Sequence, residues 1–219
     1  NVADWIERKG RLTEDDALLV AEYTARALDY AWEHSGLIHG DIKPDNVLVD
    51  EDGTIKIADF SGLHGAGRGP AEPADDDIIG TPNYMSPEQA RGERDLDIRS
   101  DMYAVGALLY HMVTGRIPFD DRGERAAMAA QKEDFLANPR DLAPSLSSSC
   151  ALMIRRLMSK SREDRPADWP AFFADLHRAR SGRGPKGGAP SNWISTVRAA
   201  SDERAPPPPP VRVSAPPSS

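Results

Sequence analysis

The segment Ser100–Gly115, SDMYAVGALLYHMVTG, is apolar or small on nearly every side of a helix. A helix with no polar face cannot lie on a surface, so it must run through the middle of a domain with the remaining chain wrapped around it. Gly115 supplies the stop. Everything else in the sequence has to be compatible with a lobe built round that element.

The flanking pattern supplies the wrapping. Thr13 and Asp16 form a helix-capping pair, and Leu18, Ala21, Ala25, Leu28 and Trp32 then recur at helical spacing until Gly36 ends the run. Two short strand-like runs follow, VLVD from Val47 and TIKIA from Thr54, joined by a turn centred on Asp52-Gly53. They are expected to pair as a hairpin. A Gly- and Pro-rich loop covers Gly62 to Pro82, and further helices are expected near residues 123–137, 147–160 and 168–180. The fold class expected is therefore mainly α with a small β-hairpin.

Composition marks a boundary near Ser181. Nine of the nineteen prolines lie beyond it, five of them consecutive from Pro206 to Pro210, so residues 181–219 read as a Pro/Gly/Ser-rich disordered linker or tail. The five prolines serve either as a semi-rigid spacer or as a ligand for an aromatic groove. The whole chain carries a net charge of −8, which argues against a nucleic-acid surface; the tail is basic, so residues 1–180 are more acidic still. A single cysteine, Cys150, excludes an internal disulfide and reads as core rather than as a reactive thiol. No stretch of eighteen apolar residues occurs, and Asn1-Val2-Ala3-Asp4-Trp5 lacks the basic-then-apolar order of a signal peptide. A cytoplasmic protein with no membrane span in this chain is expected.

The polar residues gather at the ends of the hairpin. HGDIKPDN, holding His39, Asp41, Lys43 and Asn46, stands before its first strand, and Asp59-Phe60 stands after its second. A hairpin brings those ends together. Asp, Lys, Asn and a second Asp at one mouth suit phosphoryl transfer, which needs positioned charge more than covalent help. The Asn46 amide oxygen and the Asp59 carboxylate are hard donors fit for magnesium (or manganese) bridging the phosphates of ATP. Asp41 would accept the hydrogen of an incoming hydroxyl, and Lys43 would offset charge building on the moving phosphoryl group.

At this point the chain resembles the protein kinase family, over about Asn1 to Arg180. HGDIKPDN is similar to the catalytic loop, ADF to the metal-binding turn, and GTPNYMSPE to the segment that closes the activation loop and seats the substrate. DIRSDMYAVGALLYHMVTG resembles the family's core helix. The resemblance implies a kinase-like fold with residues 1–180 as the large C-terminal lobe of a two-lobed α+β parent, incomplete at its N-terminus, and Ser/Thr-bearing protein substrates. It also implies that Asp101 holds the catalytic loop by accepting backbone hydrogen bonds and that Arg165 pairs with Glu88. Lys43 resembles the serine/threonine class, and Thr81 would orient the substrate hydroxyl beside Asp41 and Lys43. Leu48 would lie under the adenine ring, while His39 and Phe60 would stack into the internal spine; Leu48 and Phe60 are expected in the core on any reading.

Some positions depart from the family pattern. The glycine-rich phosphate loop, the ATP-contacting lysine and its glutamate partner would precede residue 1, so a fragment inactive by itself is expected. Gly40 stands where many kinases carry an arginine that grips an activation-loop phosphate. Residues 62–80 contain no Ser, Thr or Tyr, while Asp75, Asp76 and Asp77 supply negative charge as a solvated run or a docking feature. Activity independent of mid-loop phosphorylation is expected, with Thr81 and Ser86 as remaining candidate sites. Ser61 takes the place of the usual glycine after Asp59-Phe60, which would stiffen that turn. Two other classes remain: a pseudokinase or scaffold lobe recruiting partners, and a small-molecule phosphotransferase sharing the string HGD. Many bacterial kinases resembling this one have a span after the linker, so an anchor beyond Ser219 stays open.

Overall fold

A computed structural model describes residues 1–60, 64–65, 82–120, 124–134 and 136–186. Helix α1 (Val2–Lys9) leads through Gly10 into α2 (Glu14–Ser35). The Thr13 side chain accepts from the Asp16 amide at 3.2 Å and caps α2, and Gly36, left-handed at φ 60°, closes it. Strand β1 (Leu37–Ile38) follows, then β2 (Val47–Val49) and β3 (Ile55–Ile57). Strands β2 and β3 pair antiparallel with Val47 opposite Ile57 and Leu48 opposite Lys56, as the sequence predicts. Gly53, at φ 84°, takes the left-handed position in the turn between them.

A second ladder was not legible in the sequence: β1 pairs antiparallel with β4 (His64–Gly65), Leu37 opposite Gly65. Two-residue strands give no periodic pattern to read. The remaining helices are α3 (Pro87–Ala90), α4 (Ile98–Thr114), α5 (Glu124–Glu133), α6 (Pro139–Leu142), α7 (Ser148–Leu157) and α8 (Trp169–Arg180).

Helix α4 is the axis. All its residues are buried except Arg99 and the half-buried His111, and it is packed between α2 and α7. Asp97 caps its start and left-handed Gly115 its end. Gly106 is what lets α7 approach: a Cβ there would lie 2.6 Å from Leu157 Cβ. Cys150 is fully buried on α7, as expected. Among the described residues no helix is long and apolar enough to cross a membrane.

Two expectations fail. Leu48 is 40 % exposed and Phe60 54 %, so neither is a core residue. The β2 pleat turns Val47 inward and Leu48 to the opposite face. Left-handed Asp59 (φ 60°) swings the chain off β3, leaving the Phe60 ring outside the core. The described chain also continues six residues past Arg180 and returns to the lobe. The Lys186 amide donates to Asp175 Oδ1 at 2.9 Å, and Arg178 donates to the Gly184 carbonyl at 2.6 Å. The start of the expected tail is thus docked on α8.

Gly106→Ala should force α4 and α7 apart and cost about 2 kcal/mol. The melting temperature should fall by roughly 4–8 °C, measured by circular dichroism; an unchanged value would mean that the helices have room to spare.

Candidate active site

The loop between β1 and β2 is held from below by α4. Asp101, in the first turn of α4, accepts from the backbone N–H of His39 at 2.8 Å and of Gly40 at 2.9 Å. Burial pushes the Asp101 carboxyl above its ordinary value, against the opposing pull of those two amides. His39 is itself buried. Its Nε2 lies 3.3 Å from the Ala58 carbonyl, and its Nδ1 accepts from the Asp41 amide at 3.3 Å, so the tautomer with hydrogen on Nε2 satisfies both. The Phe60 ring tilts against it, 5.4 Å between centroids. His39 and Phe60 are therefore in contact, with Phe60 on the solvent side.

Asp41 sits beyond that anchor. Its Oδ2 receives Lys43 Nζ at 2.8 Å and Asn46 Nδ2 at 3.1 Å, and the same Asn46 nitrogen donates to the Asp41 carbonyl at 2.8 Å. With its NH2 so committed, Asn46 keeps its amide oxygen for another partner. Asn46 ends a 3-10 turn, Pro44–Asn46, and its backbone carbonyl accepts from Ala58 at 2.9 Å. That bond brings the end of β3, and so the exposed Asp59, beside the start of β2. Asp41, Lys43, Asn46 and Asp59 thus cluster at one hairpin mouth, with Leu48 exposed on the strand that leaves it. Thr81, Ser61 and Asp75 to Asp77 lie outside the described residues.

Below the mouth, Glu88 and Arg165 form a two-pronged ion pair at 2.6 and 2.9 Å. Both are 1 % exposed. Ser100 on α4 adds a hydrogen bond to Glu88 at 2.7 Å, and Arg165 also donates to the carbonyls of Ser159 and Arg99, each at 2.9 Å. Burial would raise the Glu88 pKa, but the Arg165 hydrogen bonds and charge, with Ser100, outweigh it and hold the group down to about 2.

The other fastenings of the stretch 82–89 have no local signal in the sequence. Gln131 on α5, fully buried, donates to the carbonyls of Pro82 and Asn83 at 3.0 and 2.6 Å and accepts from the Tyr103 hydroxyl. The Tyr84 hydroxyl meets His111 Nδ1 at 2.7 Å. Gln89 closes a capping box with Ser86 and donates to the Gly40 carbonyl at 2.8 Å. Ser-x-x-Gln is legible as a cap; its contact 49 residues away is not. Ser86, kept open above as a modification site, is fully buried and spends its oxygen on that cap.

A family model described as protein kinase domain matches residues 1–175. A protein of Bifidobacterium longum named probable serine/threonine-protein kinase PknB is 36 % identical over 201 residues, 90 % of this chain and 29 % of that protein. The corresponding PknB of Lactococcus lactis is 32 % identical over 179 residues, 81 % of this chain and 28 % of its own length. Serine/threonine-protein kinase pkn3 of Myxococcus xanthus is 34 % identical over 203 residues, 86 % of this chain and 37 % of its length. The chain spans well under half of these relatives.

Arg165→Met should destabilise the lobe by about 3–5 kcal/mol, since it strands a buried carboxylate. Because Glu88 is depressed when folded, its contribution is full above its ordinary pKa of 4.5 and is lost as pH falls toward 2. Urea midpoints across that window should decline more steeply for the wild type than for Glu88→Gln; parallel curves would refute the linkage.

Proposed function

The chain belongs to the protein kinase family, and we propose that it carries the phosphoryl-transfer lobe of a bacterial-type serine/threonine protein kinase. The observation that carries this reading is Asp41, its Oδ2 engaged by both Lys43 and Asn46. Among the described residues Oδ1 is then the oxygen left to receive a hydrogen. Asp41 accepts it from a protein Ser or Thr hydroxyl and aims that oxygen. Lys43, already within 2.8 Å of Asp41, offsets charge on the transferring group. Thr81 takes the part of orienting the hydroxyl.

The donor set fits a magnesium nucleotide. Among the described residues no cluster of three or more His, Cys, Asp or Glu could hold a metal by itself. Magnesium instead takes one or two protein oxygens together with phosphates and water. The Asn46 amide oxygen and the Asp59 carboxylate are such a pair, and manganese fits them equally. ATP with that cation supplies the phosphoryl group and offsets its charge. Leu48, exposed above the mouth, offers an apolar surface to the adenine. His39, Phe60, Asp101, Glu88 and Arg165 hold the frame without touching substrate.

The catalytic unit is taken as residues 1–180 and the remainder as a tail. We further infer that full activity belongs to the parent protein, in which a second lobe completes the nucleotide site, and that this lobe alone transfers little. Phosphate transfer from labelled ATP to a basic protein, by the full-length protein with either cation, tests the reading. Asp41→Asn should lower transfer by about 10²–10⁴-fold. No transfer by the wild-type parent would sink the kinase reading and favour a scaffold.

A further inference from the structure

Gln89 does two separate jobs with one amide. Its Oε1 accepts from the Ser86 backbone N–H at 3.0 Å, completing the cap of α3, and its Nε2 donates to the Gly40 carbonyl at 2.8 Å. The two contacts fix which end of the amide is which.

Gly40 immediately precedes Asp41. Its N–H is taken by Asp101 Oδ1, and its carbonyl by Gln89. That carbonyl shares a rigid plane with the Asp41 N–H, which donates to His39 Nδ1. One peptide plane is therefore tied at both ends, and its tilt sets the direction in which the Asp41 side chain leaves the backbone. A φ of 77° at Gly40 turns the plane this way, and glycine adopts that value without strain. The stretch that Gln89 belongs to is fastened elsewhere by Gln131, by the Tyr84–His111 contact and by the Glu88–Arg165 pair.

We propose that Gln89 is a positioning residue that registers the catalytic loop against the substrate-seating segment, an assignment that rests on the kinase reading above. It acts through Gly40 and touches no substrate.

The rival is that Gln89 only caps α3, and three variants separate the two. Gln89→Glu keeps an oxygen for the Ser86 amide but turns an oxygen instead of an N–H toward the Gly40 carbonyl. Ser86→Ala removes the hydroxyl of the cap and leaves the latch. Gln89→Ala removes the latch and the side-chain acceptor of the Ser86 N–H, while the backbone N–H of residue 89 keeps its bond to the Ser86 hydroxyl. Backbone hydrogen exchange at Gly40 and Asp41, followed in this chain, should speed up about tenfold in Gln89→Glu and Gln89→Ala but not in Ser86→Ala. Gln89→Glu should melt close to the wild type. In the full-length protein, Gln89→Glu should lower kcat about tenfold with KM for ATP unchanged.

Wild-type exchange at these amides in Gln89→Glu, or equal acceleration in Ser86→Ala, would overturn the latch. If exchange accelerates as expected while the wild-type parent transfers no phosphate, the latch stands and the kinase reading falls. If the parent is active and Gln89→Glu matches it in both exchange and kcat, the reverse holds.

Discussion

A helix buried on all sides has nowhere to put a polar group except into a partner, and α4 carries two inward in its first turn. Ser100 reaches Glu88 and Asp101 reaches the amides of His39 and Gly40. Burying the Asp101 carboxyl raises its pKa, so the contact is costly unless both amides stay in place. Removing either partner would leave a buried acceptor unmet, a larger penalty than the bond's own net worth. That asymmetry makes the first turn of α4 a fixed point from which the loop above and the segment beside it are both hung.

The two ties differ in character. The Glu88–Arg165 pair is ionic, two-pronged and almost sealed from water, and Arg165 also reaches backbone carbonyls on either side. Such a pair contributes little net free energy beyond a well-packed apolar replacement, but it tolerates only one geometry. The Gln89–Gly40 contact is a neutral bond between partly buried groups. One fixes where the segment lies; the other relates it to the loop.

Local signals in the sequence translated well because they are satisfied within a few residues. The Thr13 cap, the Gly36 and Gly115 stops and the hairpin turn are decided by backbone groups close in the chain. The polar cluster at the hairpin mouth was legible for the same reason, since pairing two adjacent strands brings its residues together. What escaped depends on distant chain. Leu48 and Phe60 look like core by composition, and only the pleat of β2 and the left-handed turn at Asp59 place them outside. The β1–β4 ladder, Gln131 and the long reach of Gln89 join segments tens of residues apart. No spacing in the sequence announces a glutamine whose partner is a single carbonyl.

The fastening of the stretch 82–89 bears on how such a protein can diverge. Asn83, Tyr84, Ser86, Glu88 and Gln89 each spend their side chains on hydrogen bonds, to Pro118, His111, the α3 cap, Arg165 and Gly40 respectively. The stretch therefore cannot be grafted as a cassette between paralogues: its anchors lie on several elements that would have to travel with it. Within the stretch, the half-buried Met85 carries no such duty and can vary without unfastening it.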